Sequence, residues 1–227
     1  MIDVKLYKID NSIFEDPARF EAAFIKVSSE RQEKINRIKP ASNKYKSLGA
    51  GLLFEMAMDD LQIAKDDREL SYGENGKPEL ANRGEIQFSI SHSDKWSILV
   101  INTEGMSTGC DIEKYGEAKK ARNVFKRVIS TAECELWFDN DVEGNDSFYV
   151  ETFYNIWTAK ESYVKTTGKG LGTDFRKLEL QKPGPDGISV INDTDSKTTG
   201  YISRVNIDEE YSLSICTPVR DIRVIEI

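Results

Sequence analysis

Asp111 and Glu113 stand two residues apart with apolar Ile112 between them. In a strand, residues i and i+2 leave the same face. The two carboxylates would then make a hard-oxygen edge suited to Mg2+, with Ile112 turned to the core. The same spacing also describes an ordinary solvent-facing strand. Trp157, Glu161 and Lys165 recur at i, i+4 and i+8, along one helical face. Trp157 can anchor that face while Glu161 and Lys165 reach a polar cleft; the plainer alternative is a surface Glu–Lys pair worth roughly a few tenths of a kcal/mol. Ser91 and His92, within Ser89-Ile90-Ser91-His92-Ser93, can donate hydrogen bonds to a phosphate oxygen, the histidine most strongly when protonated. A capping or core histidine is the alternative. His92 is the only histidine in 227 residues, which excludes His-rich metal sites and H-E-x-x-H proteases and leaves a Ser–His–Asp hydrolase one possible base. The glycines of residues 168–172 follow a helix instead of opening one, so they are not read as a dinucleotide loop.

These groups need strands and helices to carry them. Ile2, Val4 and Leu6 alternate with polar residues as a strand. Asp16-Pro17 starts a helix, and Ser42 is the expected cap of the next, whose apolar face runs from Leu48 to Leu61. Residues 72–78 form a turn. Ile86, Phe88 and Ile90 alternate as a strand whose hairpin partner is 96–102, and a further strand is expected over 109–113. Ser130 and Glu133 have capping-box spacing. Residues 139–146 read as an acidic loop, and 148–167 as the longest helix, stopped by Gly168. The remaining segment reads mostly as strands, the last over 222–227. The fold class expected is α+β, with one half over residues 1–104 and a second over 105–227.

Hydrophobic residues make up 39% and charged residues 31%, enough for a proper core. A net charge of −8 argues against a general nucleic-acid or anionic-membrane binder. Residues 26–46 reverse the sign locally, with seven basic and two acidic side chains, so either an anionic ligand or a solvated helix face is expected there. The three cysteines are widely spaced and never in C-x-x-C, which fits a reducing compartment without disulfides or a zinc site. No apolar leader and no run near the ~20 residues of a membrane span is present, so a soluble, cytoplasmic protein is expected.

The order of the motifs is more specific than any one of them. F-x-I-S-H-S at 88–93, G-x-D-I-E at 109–113 and W-T-x-K-E-S-x-x-K-x-x-G-K-G-L at 157–171 follow a Tyr72-Gly73 and Gly76-Lys77-Pro78 loop. Together they resemble the 4′-phosphopantetheinyl transferases, in particular the large single-chain, surfactin-synthetase-activating (Sfp-type) branch. The resemblance implies two similar α/β halves related by a pseudo-twofold, with coenzyme A in the cleft between them. It implies transfer of the phosphopantetheine arm of CoA to a serine of an apo acyl- or peptidyl-carrier protein, releasing adenosine 3′,5′-bisphosphate. By the same resemblance Asp111, Glu113 and Glu161 would hold Mg2+ (or Mn2+). Glu161, or a metal-bound water it polarises, would take the serine proton, and Lys165 would stabilise or protonate the leaving phosphate. Lys160 would contact the phosphates or the acids, Ser91 and His92 the CoA phosphates, Lys77 the nucleotide, and Arg31, Lys34 and Lys46 the 3′-phosphate. Lys46 stands where the family often has Arg, which keeps the charge and loses the bidentate geometry. Cys110 reads as a small buried hydrophobe. A monomer is implied, since one chain forms the cleft. Lys119, Lys120, Arg122, Lys126 and Arg127, with Val124 and Phe125, form a basic-apolar stretch that would dock an acidic carrier, or else an ordinary surface helix. The competing readings are a non-catalytic CoA- or carrier-binding paralogue and another Mg2+-dependent phosphoryl-transfer enzyme.

Overall fold

The alternation at Ile2, Val4 and Leu6 becomes β1 (Ile2–Asp10) in the computed structural model, which describes residues 1–138, 145–170 and 172–227. Asp16 accepts a hydrogen bond from the Ala18 amide and Pro17 takes the first helical position, starting α1 (Pro17–Phe24). The basic segment folds as α2 (Ser29–Arg37), capped by Ser28, and the beginning of α3 (Ala41–Asp60). Ser42 does not cap α3. Pro40 ends the preceding extended turn, and its carbonyl accepts from the Asn43 and Lys44 amides, so Ser42 already lies in the first helical turn.

Two short strands, β2 (Leu70–Tyr72) and β3 (Pro78–Leu80), pair across the expected turn. The hairpin of β4 (Gln87–Ser93) and β5 (Trp96–Asn102) follows, then β6 (Gly109–Lys114) and α4 (Ala118–Val128). The Ser130–Glu133 capping box opens α5 (Thr131–Trp137). Next come α6 (Asp146–Thr167), ended by Gly168 at φ 68°, and β7 (Leu178–Leu180). The last elements are β8 (Ser189–Asp193), β9 (Thr198–Arg204), β10 (Tyr211–Thr217) and β11 (Ile222–Glu226). Most of the expected acidic loop, residues 139–144, and Leu171 of the third motif lie outside the described residues.

One sheet runs β11-β1-β5-β4 and carries α3; the other runs β6-β10-β9-β8-β7 and carries α6. The α+β class is as expected. The division at residue 104 departs from the structure at one place: β11 pairs in parallel with β1, Val224 beside Val4, and so completes the first sheet. Side-chain alternation builds the core in layers. Leu99 and Ile101 of β5 face α3, while Ile98 and Val100 face the second sheet, where they pack with Cys110 and Ile112 of β6 and Leu213 and Ile215 of β10. Ile112 is therefore turned into the core between the sheets, and Asp111 and Glu113 point the other way.

The two sheets meet edge to edge where β4 lies beside β6, without a backbone ladder. Ser89, Ser91 and Ser93 accept hydrogen bonds through Oγ from the amides of Cys110, Ile112 and Lys114 at 3.1, 3.3 and 3.0 Å. Three hydroxyls at alternate positions thus satisfy three edge amides of β6, which would otherwise be unpaired. Gly109 lets β6 run close against α6: a Cβ there would sit 2.2 Å from the Ser162 carbonyl oxygen.

Candidate active site

The strands β4 and β6 floor a cleft of about 510 Å³, with α3 on one side and α6 on the other. Phe54 of α3, Phe88 and Ile90 of β4, Pro78 of the small hairpin and Trp157 of α6 supply apolar walls. Arg31 and Lys34 of α2 line it, as do Asp111 and Glu113 of β6 and Glu161 and Lys165 of α6. Residues from positions 31 to 165 therefore converge on one groove that joins separate cationic and carboxylate groups.

The carboxylate end is electrostatically crowded. Burial pushes the Glu161 carboxyl up to about 7, the Asp111 and Glu113 charges add to that effect, and Lys165 opposes it. Burial also raises Glu113, against a hydrogen bond from Ser93 that favours its charged form. The Lys165 ammonium donates to Asp111 Oδ1 at 2.7 Å and to Ser91 Oγ at 3.0 Å. Burial works against its charge, but Asp111 outweighs it together with the other neighbouring anionic groups, so Lys165 is held above the usual lysine range. His92 behaves oppositely. Burial, reinforced by Lys46 and Lys165, holds it below the usual imidazole range, so in the ligand-free protein it is a neutral donor and acceptor.

Among the described residues, no three His, Cys, Asp or Glu side chains are gathered tightly enough to form a ready-made metal centre. The donors nevertheless suit a hard divalent cation. Asp111, Glu113 and Glu161 line one cleft, and Asp111 Oδ2 is buried without a hydrogen-bond partner. A buried carboxylate oxygen with no donor is costly unless a cation completes it.

Several sequence expectations require correction. Lys160 does not reach the cleft. It is fully buried, donating to Glu133 Oε2 at 2.5 Å, Val128 O at 2.7 Å and Phe175 O at 2.9 Å, and it thereby ties α6 to α4 and α5. The helical period explains this: one residue from Glu161, Lys160 is rotated by about 100° onto the buried face. Ser91 lines the cleft, but its one hydroxyl proton goes to Asp111 Oδ1 at 2.8 Å and it accepts from Ile112 and Lys165, so none is left for a phosphate. Lys77 turns away from the cleft that Gly76 and Pro78 line; its ammonium donates to Thr166 O at 3.3 Å, at the end of α6. Lys46 lies beside the groove without lining it, close enough for its charge to act on His92 and Glu113. Sequence reasoning missed the roles of Ser89 and Ser93, for which the serine alternation was the signal. It also missed the charge of Glu133, which holds Lys160 as well as capping α5.

A family model described as the 4′-phosphopantetheinyl transferase superfamily matches residues 107–216, the stretch from just before β6 almost to the end of β10. The 4′-phosphopantetheinyl transferase Sfp of Bacillus subtilis is 28% identical over 193 residues, covering 84% of this chain and 81% of that protein. The 4′-phosphopantetheinyl transferase gsp of Aneurinibacillus migulanus is 29% identical over 220 residues, covering 96% and 86%. The chain is thus similar to the 4′-phosphopantetheinyl transferase superfamily over residues 107–216 and to these transferases over most of its length. A further relative, the 4′-phosphopantetheinyl transferase AcpT of Salmonella typhimurium, is 29% identical over 151 residues, or 66% of this chain and 67% of that protein. The segment matched to the superfamily carries Asp111, Glu113, Glu161 and Lys165, whereas Arg31, Lys34, Ser91 and His92 precede it. Among the described residues no helix is long and apolar enough to cross a membrane.

Proposed function

We propose that this chain is a phosphopantetheinyl transferase, which moves the phosphopantetheine arm of CoA onto a serine hydroxyl of an apo acyl- or peptidyl-carrier protein. The observation that carries this reading is the single cleft joining the cations of α2 to the carboxylate–lysine cluster of β6 and α6. Arg31 and Lys34, with Lys46 nearby, offer charge for the phosphates of the nucleotide end, and His92 can donate to the pyrophosphate. The serine oxygen attacks the phosphorus that bears the pantetheine arm. Its bond to that phosphorus forms as the bond to the bridging pyrophosphate oxygen breaks, and adenosine 3′,5′-bisphosphate leaves with the electron pair. Glu161, held near neutrality by its surroundings, accepts the serine proton. Lys165 carries the positive charge that stabilises the leaving phosphate, after exchanging its contact with Asp111. Asp111, Glu113 and Glu161 would hold Mg2+ (or Mn2+), which supplies neutralisation of the pyrophosphate charge when bound.

The carrier would approach along α4. Lys126 and Arg127 are exposed and border a groove of about 500 Å³ with Val124, Val164 and Phe175, and this groove shares Trp157 and Glu161 with the CoA cleft. Their positive charge suits an acidic carrier despite the net charge of −8, because screening limits the interaction to ~8–10 Å. Not all of the expected surface contributes. Phe125 packs against Phe138, Tyr149 and Phe153, Arg122 pairs with Asp146 over the Tyr149 ring, and Lys120 pairs with Glu117. One chain supplies both walls of the cleft, which supports action as a monomer, and three free cysteines suit a reducing cytoplasm.

The test is intact-protein mass spectrometry of apo carrier incubated with the protein, CoA and Mg2+. A gain of one phosphopantetheine arm, lost with a chelator and in Glu161→Gln, is expected. CoA binding without transfer to fatty-acid, polyketide or peptide carriers would replace this reading with a binding paralogue. Nucleotide turnover without a carrier would point to another phosphoryl transferase.

A further inference from the structure

The seam serines continue past the strand edge into the carboxylate cluster, and among the described residues Ser93 does so without a side-chain hydrogen bond to any active-site group other than Glu113. Its hydroxyl accepts from the Lys114 amide at 3.0 Å and donates to Glu113 Oε2 at 2.8 Å. Ser91 repeats the pattern two residues earlier, accepting from Ile112 and donating to Asp111 Oδ1. In each case the amide one residue beyond the carboxylate fixes the serine oxygen, which leaves the hydroxyl proton directed at the carboxylate itself. Glu113 has no other hydrogen-bond donor among the described residues, so its rotamer depends on Ser93. The pair also spans the seam, linking β4 of the first sheet to β6 of the second.

We propose that Ser93 is a positioning residue: by occupying Oε2 of Glu113 it presents the remaining oxygen, Oε1, to the divalent cation shared with Asp111 and Glu161. This inference rests on the reading of those three carboxylates as the cation site. Groups that orient a ligand in this way typically govern affinity by about 10–100-fold. A hydroxyl donor fits the task better than a cation, since it orients the carboxylate without neutralising the charge that the metal requires.

The experiment measures Mn2+ binding to the full chain in the presence of CoA and without carrier, by loss of the free-ion electron paramagnetic resonance signal. Wild type, Ser93→Ala and Ser93→Thr are compared, with thermal unfolding of each recorded under chelator. Ser93→Ala is expected to bind Mn2+ about tenfold or more weakly, with CoA affinity under chelator unchanged, and Ser93→Thr, which keeps a hydroxyl, to restore the Mn2+ affinity. Equal Mn2+ affinity in wild type and Ser93→Ala would overturn the proposal while leaving the cation site standing. Equal weakening in Ser93→Ala and Ser93→Thr would also overturn it, making Ser93 a packing residue. Absence of Mn2+ binding in wild type would overturn both this inference and the cation reading. If Ser93→Ala does not fold, the comparison of Ser93→Thr with Ser93→Cys, a weak donor of similar size, decides on the same criterion.

Discussion

Replacing Lys160 with methionine removes the ammonium that joins three segments of the C-terminal half while keeping a chain of similar length. In the native protein that ammonium donates to a carboxylate and two carbonyls, and Lys160 and Glu133 are 0% and 2% exposed. Among the described residues, Glu133 would retain only the Ser130 and Leu180 amides, at 3.0 and 2.9 Å. A buried ion pair contributes little relative to a well-packed apolar pair, but stripping one partner leaves an uncompensated charge and costs about 3–5 kcal/mol. At about 2–4 °C per kcal/mol for a chain of this size, Tm should fall by about 6–20 °C. Urea unfolding with an unchanged m-value would measure the loss. Adding Glu133→Gln, which removes the stranded charge and keeps a capping acceptor, should return at least about 1 kcal/mol. The folded fraction of Lys160→Met should keep its KM for CoA. A loss below about 1 kcal/mol, or a tenfold rise in that KM, would refute the assignment of Lys160 to the scaffold.

Glu161 predicts a pH dependence of the metal-free protein. Its carboxyl, raised by burial first and Asp111 second, favours the native state fully only below the ordinary glutamate value of 4.5, and the benefit is lost as pH rises through about 7. The loss is at most about 3 kcal/mol, reduced by solvent access, and should vanish in Glu161→Gln when urea unfolding is compared at acidic and alkaline pH in chelator. Lys126→Glu with Arg127→Glu should raise the KM for carrier about tenfold and leave CoA binding intact, and weakened CoA binding would place these residues elsewhere in the mechanism. Arg31→Ala with Lys34→Ala should raise the KM for CoA by about 10–100-fold with a smaller effect on kcat; an unchanged KM would move the nucleotide away from α2. Gly109→Ala should destabilise the protein by about 1–3 kcal/mol or more in thermal unfolding, because its Cβ meets the backbone of α6 at Ser162.

Local chemistry made much of this molecule readable in advance. Asp16-Pro17, the Ser130–Glu133 box and Gly168 act through hydrogen bonds or φ angles within a few residues, so their effect is written in adjacent letters. The face shared by Asp111 and Glu113 follows from strand alternation alone. Period put Lys165 on the stripe of Glu161, but what the side carrying Lys160 would meet was settled only when the helix was seated against Glu133. The partner of Lys77 was illegible for a different reason, since Thr166 lies 89 residues away and the contact exists only when the small hairpin crosses to the end of α6. Nor did composition reveal that Ser91 has no proton free for a phosphate, because that depends on Asp111, Ile112 and Lys165 converging on one hydroxyl.

The pairing of β11 with β1 gives the order of synthesis a consequence for folding. On the ribosome, α3 and the β4–β5 hairpin emerge early and can pack together, but one backbone edge of β1 waits for residues 222–226. Those residues arrive only after the second sheet and α6 have been made, with Ile2, Val4 and Leu6 of β1 matched to Ile222, Val224 and Glu226. Until then the nascent protein exposes an open, largely apolar strand edge, of the kind that recruits foreign strands. Residues 222–226 therefore act as a late seal, and a chain stopped before them would lack it even though every cleft residue named above had already been translated.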